Sequence, residues 1–136
     1  MDVGTVRIGV AVADELGLLA HPRPPVAASP RARALASLAE LARDEGLERF
    51  VVGLPLRSSG VEGRAAEFVR EFAARLVEAT GLEVELWDER FSTVEASRQL
   101  RASGVSAKKG RAFLDSAAAC VILQSWLDAR RPGGAP

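Results

Sequence analysis

Met1-Asp-Val-Gly-Thr-Val-Arg-Ile-Gly-Val-Ala-Val-Ala13 is the stretch that decides how this chain is read. Arg7 to Ala13 is rich in β-branched and small apolar residues, the composition of a buried strand. Gly4 and Thr5 stand before it as a tight hairpin, which makes Met1 to Val3 the end of an earlier strand. A strand usually has about five or six residues. The expectation is therefore that this strand either starts upstream of Met1 or is unusually short.

Downstream, Leu18 to Ala28 is rich in proline and predicts at most a short edge strand followed by a loop. Ser29-Pro30 predicts a helix start, with Ser29 as N-cap and Pro30 in the first turn. Leu35, Leu38, Leu41 and Ala42 follow helical spacing up to Gly46. Phe50 to Leu54 reads as a second buried strand, halted by Pro55. Glu62 to Thr80 predicts a long amphipathic helix with Ala65, Phe68, Val69, Phe72, Leu76 and Val77 on one face, closed by Gly81.

Leu82 to Trp87 reads as a third strand, buried on both faces, and Thr93 to Ser103 as a helix. Val105 to Arg111 is a basic loop of small residues. Ala112 to Ala129 is the last helix, with Phe113, Ala117, Cys120, Val121, Gln124 and Leu127 near one stripe. The order predicts an α/β fold: a mixed sheet flanked by helices on both faces. One domain over 1–129 and a flexible tail over 130–136 account for the length. Ligands of such sheets sit beyond the carboxyl ends of the strands.

Composition narrows the function. The 18 basic and 18 acidic residues cancel, so any polyanion must be gripped by a local patch. One cysteine, Cys120, and one histidine, His21, exclude an internal disulfide and Cys-rich zinc chemistry. No apolar run approaches the roughly 20 residues of a membrane span, and no leader pattern opens the chain; the expected compartment is cytoplasmic.

Carboxylates at the ends of buried strands carry the chemical reading. Asp2 lies on the first strand, Asp88 and Glu89 follow the third, and Asp115 sits early in the apolar last helix. Such acids repel one another, and hard cations such as Mg²⁺ or Mn²⁺ are the usual reason for gathering them. Plainer roles stand beside this one. Asp2 suits a turn, Asp88 a loop start or cap, and Asp115 the positive end of a helix dipole. His21 reads as a loop histidine, Cys120 as core, and Trp87 and Trp126 as packing residues.

Four blocks together resemble the YqgF/RuvX family: Asp2 to Asp14, Gly53-Leu-Pro-Leu56 with Gly60, Asp88-Glu-Arg-Phe-Ser-Thr93, and Asp115-Ser-Ala-Ala118. They stand in the family's order and spacing over nearly the whole chain. The resemblance implies an RNase H-like fold related to Holliday junction resolvases. It also implies a Mg²⁺- or Mn²⁺-dependent nuclease associated with maturing the 5′ end of pre-16S ribosomal RNA, some members being proposed as junction resolvases. By position it assigns metal binding and catalysis to Asp2, Asp88, Glu89 and Asp115, leaving open which of Asp88 and Glu89 faces the metal. The chain departs from the family in having only Met1 before the first aspartate, Phe91 for an aliphatic residue and Val6 for a basic one.

Arg7, Arg90 and the Lys108-Lys109-Gly-Arg111 loop are the candidate phosphate contacts. The turn Arg57-Ser-Ser-Gly60 reads as a mobile, substrate-facing lip. With no tyrosine and five phenylalanines, recognition of structured nucleic acid, an rRNA precursor or a DNA junction, is expected through shape and backbone. A resolvase acting on a two-fold junction would favour a homodimer. Two rivals remain. The Asp2-x-Gly-Thr opening also resembles the phosphate hairpin of actin-like ATPases, which need two such domains. A catalytically inactive nucleic-acid-binding domain of the same fold is the other.

Overall fold

The computed structural model describes residues 1–57, 59–91, 94–104 and 111–130, with the side chains of 111–113 left aside. Strands β1 (Asp2–Val3), β2 (Arg7–Ala13) and β3 (Ala20–Ala27) form an antiparallel meander. Helix α1 (Arg31–Glu45), β4 (Arg49–Leu54), α2 (Arg64–Thr80) and β5 (Glu83–Asp88) follow, with β4 and β5 parallel. A 3₁₀ turn, Glu89–Phe91, leads toward α3 (Val94–Ala102), and α4 (Arg111–Arg130) closes the described fold.

Met1 joins the two strand sets. Its nitrogen donates to the Val51 carbonyl at 2.7 Å, and the Gly53 N–H donates to the Met1 carbonyl at 3.0 Å. That is one parallel rung opposite Val52, and it sets the three-stranded sheet β3-β2-β1 beside the two-stranded sheet β4-β5, with β1 next to β4. Alternation along β4 then separates two cores. Phe50, Val52 and Leu54 face α1 and α2, together with Ile8, Leu38, Phe72 and Leu76. Val51 faces α4 and α3, together with Leu100, Cys120, Ile122 and Trp126. The mixed sheet with helices on both faces is the RNase H-like α/β arrangement expected from the sequence.

Several boundaries differ from the sequence reading. The Leu18 to Ala28 segment carries the eight-residue β3 rather than a short edge strand. It does lie at the edge of the meander, where proline costs no ladder bond, and the register slips beside Pro24 and Pro25. His21 is therefore a strand residue paired with Val12, not a loop histidine. Helix α1 begins at Arg31 with Pro30 at the N-cap position, and no side chain caps it, so Ser29 does not serve that role.

Glu62 precedes α2 and forms an isolated bridge with Leu56. On α2 it is Ala66, not Ala65, that is buried, and Val77 is exposed. Strand β5 is half-buried along most of its length rather than covered on both faces, and it takes in Asp88. In α4 every residue from Ile122 to Leu127 is buried, so the helix has no single stripe. Arg130 is helical, one residue beyond the expected tail boundary. Thr93, the loop 105–110 and the tail 131–136 lie outside the described residues.

Candidate functional site

Asp2 pairs with Gly9 across the β1–β2 ladder, at the centre of the sheet. A Cβ placed on Gly9 would lie 3.6 Å from the Asp2 Cβ, 3.7 Å from the Ser116 Cα and 3.5 Å from the Ala119 Cβ. Asp2 and the first half of α4 therefore meet over the same glycine. Two strands away, β5 ends at Asp88 and the 3₁₀ turn begins at Glu89. The Glu89 side chain folds back over Gly53 of β4, where a Cβ would stand 3.0 Å from Oε1. Gly53 is also the residue whose N–H bonds to Met1, next to Asp2.

This placement crowds negative charge. Burial raises the Glu89 carboxyl above its ordinary pKa, and the charges of Asp2 and then Asp88 push it further. The Met1 ammonium opposes this rise, but among the described residues no cationic side chain forms an ion pair or hydrogen bond with the Glu89 carboxylate. A half-buried anion without such a partner carries a desolvation cost that a bound cation would offset.

Asp88 is in a different state. The Arg90 guanidinium grips it through Nε at 3.0 Å and Nη2 at 2.7 Å, and the Arg90 N–H adds a bond of 2.8 Å. The side-chain bond from Arg90 is the main cause that holds the Asp88 carboxyl below its usual range. Arg90 in turn packs against Gly60, where a Cβ would lie 3.3 Å from Nη1. The turn at Gly60 is itself closed by Gly60 N–H to the Arg57 carbonyl at 2.7 Å and Arg57 N–H to the Val61 carbonyl at 3.1 Å. The proposed lip is thus a bonded hairpin; Ser58 lies outside the described residues.

Asp115 is half-buried in the first turns of α4. The next residue, Ser116, leaves helical geometry (φ −129°, ψ 24°) and is almost fully buried. Its Oγ accepts from the Val10 N–H and donates to the Arg23 carbonyl, so the kink is fastened to β2 and β3. A second fastening lies two turns on. Gln124 Oε1 accepts from Ala20 N–H at 2.9 Å, and its Nε2 donates to the Leu18 carbonyl at 2.9 Å. Ser116 and Gln124 were not singled out as positioning residues from the sequence. The available signal was a polar side chain inside an apolar helix, which must find partners when buried.

The four candidate acids are therefore not equivalent. Asp2 and Glu89 are brought together, Asp88 is adjacent but bound by Arg90, and Asp115 sits on the neighbouring helix. Among the described residues no three His, Cys, Asp or Glu side chains converge into a metal-holding group. Of the basic candidates, Arg7 is exposed on β2, two residues from Gly9 and so on the same face of the strand. Arg90 is engaged with Asp88. Lys108 and Lys109 lie outside the described residues, and Arg111 opens α4.

Other side chains take structural roles. Cys120 is fully buried, and burial pushes its thiol up to about 11. Trp87 donates from Nε1 to Ser125 Oγ at 2.8 Å, and Trp126 donates to Glu85 at 2.7 Å. No helix among the described residues is long and apolar enough to cross a membrane.

Comparison with known proteins agrees with this architecture. The model of the family described as "RuvX: Holliday junction resolvase" matches residues 1–129. A protein of Anaeromyxobacter dehalogenans (strain 2CP-1 / ATCC BAA-258) is 51% identical over 132 residues, 97% of this chain and 96% of the relative. One of Myxococcus xanthus (strain DK1622) is 47% identical over 132 residues, covering 97% and 87%. One of Symbiobacterium thermophilum is 46% identical over 130 residues, covering 96% and 90%. Each of the three carries the name "Putative pre-16S rRNA nuclease". With matches of this extent and identity, the chain belongs to the RuvX family of nucleases.

Proposed function

We propose that the protein hydrolyses phosphodiesters in structured RNA at the Asp2–Glu89 site with the aid of Mg²⁺ or Mn²⁺, and that its substrate is the 5′-extended precursor of 16S rRNA. What supports this reading is the Glu89 carboxylate, folded over Gly53 under the negative charge of Asp2, with the Met1 ammonium but no cationic side chain acting against that charge. The donor set fits a hard cation, since every nearby candidate ligand is a carboxylate oxygen. Mg²⁺ in particular is commonly held by one or two carboxylates, with water and substrate phosphate completing the shell. Two converging acids are enough for that arrangement, and Asp115 stands on the adjoining helix as the third candidate.

When bound, such an ion supplies Lewis acidity for in-line attack of water on the phosphodiester. The chain's own residues do the positioning. Asp2 sits in the central strand opposite Gly9, so the ladder fixes its main chain and the face of the sheet from which its carboxylate projects. Glu89 is aimed by the 3₁₀ turn and by the absence of a side chain at Gly53. Arg90 holds Asp88 aside from the pair and leaves it as a nearby negative charge. Arg7 provides an exposed guanidinium on the Gly9 face for a substrate phosphate.

The relatives' names favour the rRNA precursor, which would be met in the cytoplasm. The family description favours a second substrate, the four-way DNA junction, which would call for a two-fold pair of subunits. Both substrates belong in one assay. Cleavage of the 5′-extended rRNA should require Mn²⁺ or Mg²⁺, stop in EDTA, and fall by about 100-fold or more in Glu89→Gln, on the scale of losing one group that stabilises transition-state charge. Cleavage undiminished in EDTA would overturn the metal-dependent reading. Preference for the junction over the RNA would overturn the substrate.

A further inference from the structure

Strand β4 ends at Leu54, one residue past the Gly53 that Glu89 covers, and the chain turns through a short hairpin before α2. Main-chain bonds fix this hairpin. Leu56 bridges Glu62, the Arg57 N–H donates to the Val61 carbonyl at 3.1 Å, and the Gly60 N–H donates to the Arg57 carbonyl at 2.7 Å. Arg57 is therefore anchored through both its N–H and its carbonyl, just beyond the strand end that carries the acidic site.

Two guanidinium groups lie against the hairpin. Arg90 covers Gly60, and Arg57 folds back over Gly63, where a Cβ would stand 3.2 Å from both Nε and Nη2. Their charges are answered unequally. Arg90 is bonded to Asp88. Glu62, the carboxylate of the hairpin itself, is gripped by Arg70, with Nη2 at 2.9 Å. Glu67, in the first turn of α2, makes no ion pair with Arg57 among the described residues. The Arg57 guanidinium is exposed and has no hydrogen-bond or ion-pair partner among the described residues.

An exposed arginine in water needs no partner, so exposure alone says little. Position sets Arg57 apart. Its main chain is held, the carboxylates on either side of it are taken, and its hairpin adjoins the residue that follows Glu89. Across the sheet end, Arg7 stands on β2, Asp2 on β1 opposite Gly9, and β1 lies beside β4. At about 4.8 Å between strands, β2 and β4 are about 10 Å apart. The acidic site thus lies between two exposed guanidiniums, groups suited to bidentate phosphate contacts.

We propose that Arg57 grips a backbone phosphate of the substrate strand on the α2 side of the Asp2–Glu89 site, opposite the phosphate met by Arg7. The strand then lies across the carboxyl ends of β1 and β4 and is held on either side of the bond to be cut. Such contacts fix register and orientation and carry no sequence preference of their own. Arg57 takes no part in bond cleavage. The inference deepens the nuclease reading and rests on its placement of the substrate at Asp2 and Glu89.

The test measures binding of a fluorescein-labelled, 5′-extended 16S rRNA precursor fragment by anisotropy, in EDTA and over a series of salt concentrations. The proteins are the full chain, Arg57→Gln, Arg57→Lys and, as control, Arg43→Gln, an exposed arginine in the last turn of α1. Arg57→Gln should bind about fivefold more weakly, as loss of one surface charge interaction implies. Its slope of log affinity against log salt should be shallower by about 0.7–0.9, the loss of one phosphate contact. Arg57→Lys should keep the slope, and Arg43→Gln both slope and affinity. In Mn²⁺, Arg57→Gln should raise KM and leave kcat little changed. Unchanged affinity and slope in Arg57→Gln, or an equal loss in Arg43→Gln, would overturn the contact even if cleavage proves metal-dependent. Cleavage undiminished in EDTA, with the Arg57 slope change present, would sink the metal reading and leave the contact standing. No RNA binding by the unaltered protein would overturn both.

Discussion

Ser116 Oγ accepts a hydrogen bond from the Val10 main-chain N–H at 3.1 Å, across the interface between α4 and the sheet. The same hydroxyl donates to the Arg23 carbonyl at 2.9 Å, at the point where the β2–β3 register slips. One side chain thus fills a gap in the ladder and fixes the helix residue that follows Asp115. Replacing it leaves a buried donor and a carbonyl without their partner. Ser116→Ala should lose about 1–3 kcal/mol of stability, read by urea denaturation. An unchanged midpoint would show that the hydroxyl has no such role.

Gly53 and Gly9 make a matched pair of tests. A Cβ on Gly53 would meet Ile122 Cδ1 at 2.6 Å and Glu89 Oε1 at 3.0 Å, whereas one on Gly9 meets nothing nearer than 3.5 Å. Gly53→Ala should therefore displace Glu89 and cost about 1–3 kcal/mol by overpacking. Nuclease turnover should fall well below that of Gly9→Ala. Equal turnover in the two variants would mean that the position of Glu89 does not matter to the reaction.

The strand-and-helix frame was legible because β-branched runs and helical spacing report burial directly. Arg7 to Ala13, Phe50 to Leu54 and the Leu35–Ala42 set all follow that logic. Strand β3 was hidden because Pro22, Pro24 and Pro25 usually punctuate strands. Here they sit on an edge and beside a register slip, where their missing N–H groups cost little. At the site, the acids could be named from their place after apolar runs. Their inequality could not, since it depends on Arg90 curling back onto Asp88 and on Glu89 crossing to Gly53. Ser116 and Gln124 were hidden for a related reason: their partners are strands roughly a hundred residues away in the chain.

Acid stability should respond to the Arg23–Glu45 pair. Arg23 Nε and Nη2 bond the two Glu45 oxygens at 2.8 and 2.6 Å, and these bonds are the main cause that depresses the Glu45 carboxyl. A depressed carboxyl contributes stability above its unfolded value of 4.5, and that contribution is lost as pH falls through the folded value. Because both side chains are partly exposed, the contribution should be no more than about 1 kcal/mol. Arg23→Gln should lower stability at pH 7 and converge with the unaltered protein at acid pH. A difference that persists undiminished at low pH would assign the effect to packing instead.

Gln124 offers a stability test away from the acids. It accepts from Ala20 N–H and donates to the Leu18 carbonyl and to Asp128, all from a fully buried position. Gln124→Leu keeps the bulk but leaves the Ala20 N–H without an acceptor, at a cost of about 1–3 kcal/mol. Faster amide exchange should appear at Ala20 and at the start of β3. Exchange that is unaltered there would place the loss elsewhere.

The most direct measurement is Mn²⁺ binding followed by electron paramagnetic resonance on the unaltered protein, Glu89→Gln and Asp88→Asn. Saturable binding is expected in the unaltered protein, with a loss of about tenfold or more in Glu89→Gln, on the scale set by perturbing a metal site. Asp88→Asn should retain most of the affinity, because Arg90 already engages that carboxylate. Equal Mn²⁺ affinity in all three proteins, or no saturable binding in any, would contradict the assignment of the cation to Asp2 and Glu89.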